Sequence, residues 1–224
     1  MPVDLRKVLF PLRYDVWDQA PAIAKLSDAL NQYGIVKALE EGRSTAIYRH
    51  NVVADPAYQK LGLLNPLTGS ELDERIERYY LDHLEKLLRY YQSIKRGWDK
   101  SQDKLYYKKV SGSTVTTAGN SVPEGLFLSN GQHRTTVLLA LGYVELPGYM
   151  AGIKERSGEI FSPLDLTQVY IEAGLCTEQD FVKFARFRFP AIPGEIKDIS
   201  SLTKWMKANG PTWAVEYIRI YWGG

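Results

Sequence analysis

The chain has 224 residues, 45% of them hydrophobic and 24% charged, which is typical of a globular protein of one domain or two small ones. A formal net charge of +2 gives no overall basic field that would demand a nucleic-acid partner. The single cysteine, Cys176, excludes an internal disulfide. We recognise neither a secretory signal nor an apolar run long enough to span a membrane, so we expect a cytoplasmic protein.

The N-terminal third is predicted to consist of an arm followed by short helices and one strand. Residues 1–16 indicate an apolar, extended arm, and residues 19–33 a helix with Pro21 near its first turn. A further helical turn is predicted over 35–41, and a strand over 44–48.

A long amphipathic helix is the clearest element of the sequence. We expect Ser70 to cap it and Gly97 to end it, with acidic side chains in its first turn and Lys95 and Arg96 in its last. One apolar stripe follows the helical period: Leu72, Ile76, Tyr80, Leu84, Leu87, Tyr91 and Ile94.

Strands and a second helix follow this long helix. Strands are predicted over 104–110 and 125–129, and a helix over 132–141. The next strand, over 144–153, is interrupted by Pro147-Gly148, so it lies at a sheet edge or begins after that pair.

The last part of the sequence changes to a helical pattern. Four helices are predicted, over 162–173, from 177 to 187, from Ser200 or Ser201 to 209, and over 211–222. We therefore expect an α+β fold in three segments: an arm and helical segment (1–69) packed on a core (70–156), with a helical extension (157–224).

The segment that carries the chemistry runs from Leu126 to Gly142. A short apolar strand meets a tight turn at Gly131, and a helix then opens with His133 and Arg134. Free helix amides, the positive end of a helix dipole and a guanidinium there converge on one spot, which favours an anion such as phosphate. A turn with a surface arginine is the alternative.

We assign candidate roles to the residues around this turn. Arg134 can hold two phosphate oxygens, or form a surface ion pair instead. His133 can bond a phosphate oxygen or serve structurally, and either threonine can bond back to the preceding turn. The candidate cofactor-binding residues are Asn130, Gly131, Gln132, His133, Arg134, Thr135 and Thr136.

Phosphoryl transfer would also need Mg²⁺ and a carboxylate near the acceptor hydroxyl. Asp99 is the candidate carboxylate, with a solvated loop residue as the alternative, and His133 is the second candidate catalytic residue. We assign no residue as a protein ligand of a metal. Basic residues between Lys95 and Lys109 could attract a polyanion or form a solvated face.

The order of elements and three stretches resemble the ParB/sulfiredoxin superfamily. These stretches are Ser93-Ile94-Lys95-Arg96-Gly97, Leu128-Ser129-Asn130-Gly131-Gln132-His133-Arg134 and the segment from Leu139 to Pro147. The resemblance covers residues 70–153 well and the last 70 residues not at all. It implies a small mixed sheet with flanking helices and a nucleotide-phosphate pocket at the Gly-x-His-Arg helix.

Departures from the motif separate the members of this superfamily. Sulfiredoxins carry a catalytic Cys where this chain has Gln132, and partition proteins carry an acidic residue and a second Arg. Free-serine kinases share Gly-x-His-Arg and are the most similar, but they precede it with Asp where this chain has Asn130. Because an Asn cannot serve as a base, catalysis remains open while nucleotide binding is expected.

Two functional hypotheses follow from the resemblance. The first is a kinase that uses ATP, or another nucleotide, with Mg²⁺ to phosphorylate a hydroxyl of a sugar or amino-acid derivative. The stretch 94–99 also resembles ParB-like proteins associated with bacterial surface-polysaccharide synthesis, which favours a glycan precursor. The second, less favoured, is a non-catalytic nucleotide-dependent DNA-binding module or a ParB-like nuclease. A carboxylate-bearing pocket beside Arg134 would favour the first, and a continuous basic surface the second.

Overall fold

The computed structural model describes residues 2–9, 14–52, 67–99, 103–110, 125–128, 131–156 and 166–223. Over these residues the fold is mixed α+β and mainly helical, with a small mixed sheet and flanking helices. None of the helices in the described ranges is long and apolar enough to cross a membrane.

The elements alternate between helices and short strands. The first part contains β1 (Val3–Asp4), α1 (Leu5–Leu9), α2 (Tyr14–Tyr33), α3 (Ile35–Gly42), α4 (46–52) and α5 (Gly69–Arg96). The middle part contains β2 (Leu105–Val110), β3 (Gly125–Leu128), α6 (Gln132–Ala140), β4 (Glu145–Leu146) and β5 (Ala151–Arg156). The last part contains α7 (Leu166–Glu172), α8 (Glu178–Arg188), α9 (Ile199–Asn209) and α10 (Thr212–Trp222).

The N-terminal third is more helical than the sequence predicted. Residues 5–9 and 14–16 are helical rather than extended, and Pro21 lies inside α2 instead of its first turn. Burial of the apolar face of α2 outweighs the backbone hydrogen bond that a proline cannot donate.

The predicted strand over 44–48 is also wrong. Residues 46–48 belong to α4, and the hydroxyl oxygen of Thr45 accepts a hydrogen bond from the Ile47 amide at 3.3 Å. A threonine directly before a short apolar run therefore caps a helix here and does not continue a strand.

The long helix α5 matches its prediction apart from its first residues. Its N-cap is Thr68, so Ser70 lies within the first turn rather than capping it. Gly97 follows the last helical residue, as predicted. The predicted stripe is buried from Ile76 onward, whereas Leu72 is half-buried.

The sheet places β2 between two different neighbours. β3 pairs with it antiparallel and β5 pairs with it parallel, so that Tyr107 lies opposite both Leu128 and Ile153. The predicted interruption at Pro147-Gly148 divides that segment into β4, which pairs with β1, and the edge strand β5.

The C-terminal helices begin close to their predicted starts. Thr177 forms a capping box with Asp180 at α8, and Pro211 precedes α10. The cap of α9 is Asp198, because its carboxylate accepts from the Ser201 amide, and not Ser200 or Ser201. The predicted start at Ser162 lies outside the described residues.

Among the residues that the structure describes, one buried core connects helices and strands from both ends of the sequence and from its middle. Tyr14 of α2 lies 5.8 Å from Phe184 and 6.4 Å from Tyr170, between ring centroids, so helices from opposite ends of the sequence pack together. Within this core, α6 contacts both α2 and α5. That packing fixes the direction in which the N-terminus of α6 points.

Candidate functional site

The start of α6 is built on a left-handed glycine. Gly131 is the N-cap residue, with φ 85° and ψ 24°, a conformation that side chains other than glycine rarely adopt. Its carbonyl accepts the first helical hydrogen bond, from the Thr135 amide, at 2.9 Å. A Cβ at this position would lie 2.4 Å from Cδ2 of Leu105, so the turn packs directly on β2.

Helix geometry makes this end of α6 a place where an anion can bind. The amides of Gln132, His133 and Arg134 precede the Thr135 bond and point out of the N-terminal end, where the helix dipole is positive. The Gln132 side chain is exposed, while those of His133 and Arg134 are half-buried. These positions agree with the predicted turn-then-helix arrangement.

Within the described ranges, the hydrogen-bond partner of the Arg134 side chain is a backbone carbonyl. Its Nη1 donates to the carbonyl oxygen of Asp103 at 2.8 Å, just before β2 begins. This contact uses one of the five N–H donors of the guanidinium. The side chain is thus steered toward the junction of β2 and α6 by a bond to a backbone carbonyl, which carries no formal charge.

The two threonines have structural contacts. Thr135 is buried, and its hydroxyl oxygen lies 3.0 Å from the hydroxyl oxygen of Tyr107 on β2. The Thr136 hydroxyl donates to the carbonyl oxygen of Gln132 at 2.9 Å, the back-bonding alternative named for it. We therefore interpret both hydroxyls as tying α6 to the core and to its own first turn.

The structure does not test the roles predicted for Asn130 and Asp99. Asn130 lies outside the described residues, as do residues 100–102, which connect Asp99 to Asp103. Asp99 itself is exposed, just beyond the end of α5. The roles assigned to Asn130 and Asp99 stay predictions.

His133 contacts a second histidine that sequence reasoning did not select. The imidazoles of His133 and His83 are perpendicular, at 89°, with centroids 4.8 Å apart. His83 lies on α5, and its Nδ1 is 3.0 Å from Nδ2 of Asn51 on α4. Three helices thus meet behind the N-terminus of α6.

Burial decides the charge of His83. It lowers the pKa of His83 to about 3, and the neighbouring His133 acts in the same direction, while Asp15 opposes it. His83 is therefore neutral at physiological pH. Nδ1 of His83 lies closer to the amide nitrogen of Asn51, at 3.0 Å, than to its amide oxygen, at 3.4 Å, so we assign Nδ1 as the acceptor and the single proton to Nε2.

The third histidine of the chain belongs to the same neighbourhood. His50 is buried, with Nε2 2.9 Å from Oδ2 of Asp18 and its ring 4.2 Å from that of Tyr170. It is near enough for its charge to lower the pKa of His83. We call His50, His83 and His133 the histidine cluster. Their sequence positions on separate helices gave no spacing motif, although His83 directly precedes a residue of the buried α5 stripe.

In the described part of the chain, no group of three or more His, Cys, Asp or Glu side chains could hold a metal ion. Cys176 is buried, and burial raises the pKa of its thiol to about 12, which suits a structural residue and not a nucleophile.

Comparison with known proteins gives no match for this chain, either among protein-family models, among curated proteins or among solved structures.

Proposed function

We propose that this protein binds a nucleotide through its phosphates at the N-terminus of α6 and transfers the terminal phosphoryl group to a hydroxyl of a small molecule. The observation that carries the proposal is the meeting of a left-handed glycine turn, the first-turn amides of α6 and the Arg134 guanidinium, which donates to the Asp103 carbonyl. The resemblance of the Gly-x-His-Arg segment to ParB/sulfiredoxin-like kinases supports the same reading.

The first turn of α6 would bind the phosphates of the nucleotide. The amides of Gln132 and His133 and the Arg134 guanidinium would hold phosphate oxygens, and their fixed positions favour the charge that develops during transfer. Mg²⁺ bound with ATP supplies further charge neutralisation at the phosphates.

Phosphoryl transfer forms one bond to phosphorus and breaks another. The acceptor oxygen forms a bond to the terminal phosphorus while the bond from that phosphorus to the bridging oxygen breaks, which leaves ADP. The hydroxyl proton passes to His133, since an imidazole is a side chain that can accept a proton near neutral pH. Asp99 is the residue proposed to orient the acceptor.

The proposed acceptor is a sugar or amino-acid derivative. The similarity of residues 94–99 to ParB-like proteins of surface-polysaccharide synthesis favours a glycan precursor, and the proposed compartment is the cytoplasm. The proposed partners are therefore the nucleotide and this acceptor.

Nucleotide binding can be tested by thermal shift with ATP, ADP, CTP and GTP, each with and without Mg²⁺. At a hundredfold excess over Kd, a bound nucleotide stabilises the fold by about 2.7 kcal/mol. We expect the shift to be largely lost in Arg134→Ala. Arg219→Ala is the matched control, because Arg219 is an exposed arginine paired with Glu216 on α10. No shift of the wild type with any nucleotide would contradict the proposal.

Catalysis requires a separate measurement. The nucleotide that binds is incubated with sugars and amino-acid derivatives, and phosphorylated product is assayed for the wild type and for His133→Gln. We expect product with the wild type only. Binding without turnover, accompanied by nucleotide-dependent DNA binding or cleavage, would instead support the alternative of a DNA-binding or nuclease module.

A further inference from the structure

His83 contacts Asn51 as well as His133. The Asn51 amide nitrogen donates to the carbonyl oxygen of Ile47 at 2.7 Å, within its own helix, and also lies 3.0 Å from Nδ1 of His83. An amide fixed in this way presents one remaining N–H to the imidazole. The ring of His83 therefore has a defined orientation and a defined proton position.

The groups that act on the pKa of His83 come from four helices. Asp15 on α2, His50 on α4, Lys86 on α5 and His133 on α6 all act on its charge. Of these only Asp15 favours the protonated ring, whereas the other three and burial oppose it. Burial and the neighbouring positive or protonatable groups together keep the His83 imidazole neutral.

We propose that His83, fixed by Asn51, is a positioning residue that orients the His133 imidazole and leaves His133 as the proton-accepting member of the pair. The perpendicular packing of the two rings, 4.8 Å apart, limits the rotation of His133. This inference deepens the proposed function and rests on it, because it concerns the residue assigned as base.

A neutral His83 matters because two protonated imidazoles in contact would repel each other. If both imidazoles titrated near neutral pH, protonation of one would oppose protonation of the other, and neither would be a dependable base. A neighbour that stays neutral removes this competition. It also excludes water from one side of His133 without bringing a charge to it.

The first measurement is an NMR titration of the full chain with ¹⁵N-labelled histidine, without nucleotide, from pH 8 to pH 5. We expect His83 to remain neutral with its proton on Nε2 while His133 takes up a proton. Signals are assigned from His50→Gln, His83→Gln and His133→Gln. Protonation of His83 before His133 as the pH falls would overturn the inference, and this test needs only the wild-type fold.

The second measurement compares two substitutions of the same residue. His83→Ala removes the ring and admits water to His133, so the His133 titration midpoint should rise. His83→Phe supplies a ring that cannot be protonated and should restore the midpoint toward the wild-type value. Glu85→Gln, an exposed change on the same helix, is the control. An unchanged midpoint in folded His83→Ala would overturn the inference.

Nucleotide affinity separates this inference from the function on which it rests. We expect His83→Ala to bind ATP roughly fivefold to tenfold more weakly, as when a ligand-binding side chain loses its support, and His83→Phe to bind nearly as the wild type. If the wild type binds no nucleotide, the proposed function fails. The NMR titration still decides whether His83 positions His133.

Discussion

At the scale of single residues, the backbone of Gly131 decides whether α6 can begin where it does. Gly131→Ala should lower the free energy of unfolding by about 2–4 kcal/mol, because the left-handed backbone is strained and the new Cβ meets Leu105 in the core. Gly174→Ala is the matched control: φ is 71° there, but no atom lies within 4 Å of an added Cβ.

The two variants are compared by urea unfolding. The free energy of unfolding of Gly174→Ala should fall by only about 1–2 kcal/mol, the cost of placing a side chain on a left-handed backbone. Equal losses in both variants would show that the Leu105 side chain gives way, and that the contact between β2 and the turn does not fix the start of α6.

Residue-level prediction succeeded where the backbone chemistry is local. The glycine turn and the helix that follows it are properties of consecutive residues, so the sequence indicated both. The burial of Thr135 was not predictable in this way, because its partner Tyr107 lies on a strand 28 residues earlier.

At the scale of elements, the buried stripe of α5 anchors this helix in the core, and α6 packs against it. Leu87→Ala should cost about 2–5 kcal/mol of unfolding free energy, since Leu87 is 0% exposed and its removal leaves a cavity. Leu81→Ala on the same helix should cost less than about 1 kcal/mol, because Leu81 is 39% exposed. Chemical denaturation of both variants gives the comparison, and similar losses would be incompatible with the burial described.

Elements with a sustained hydrophobic period were predictable, and short ones were not. The stripe of α5 repeats over many turns, so its periodicity identifies a helix before any packing is known. Residues 44–48 are too few to show a period, and the choice between strand and helix there depends on the cap at Thr45 and on contacts with other elements.

At the scale of the whole molecule, the free energy of unfolding should fall as the pH is lowered from about 6.5, before the carboxylates begin to titrate. The pKa of His83 is about 3 in the fold against an ordinary value of 6.5. Between these values the unfolded chain binds more protons, so the unfolding free energy decreases as the pH falls, by up to about 1.4 kcal/mol per pH unit. Above pH 6.5 His83 contributes no pH dependence.

Urea unfolding at pH 7, 6 and 5 measures this slope. The carboxylates whose pKa is lowered in the fold, such as Asp4, Glu77 and Asp180, begin from ordinary values of 3.8 or 4.5, so they act mainly below this window. His83→Phe should flatten the curve. A wild-type stability that does not change between pH 7 and 5 would contradict the neutral, buried His83.

The sequence by itself determined the features that depend on neighbouring residues: the long helix, the strands around it, the glycine turn and the arginine that follows. The tertiary structure alone decided that His83 and His133 meet, that Arg134 is held by the Asp103 carbonyl, and that segments from both ends of the chain share one core. The physical reason is that turns, caps and periodic faces are local, whereas burial and the proton positions it imposes arise only when distant helices exclude water together.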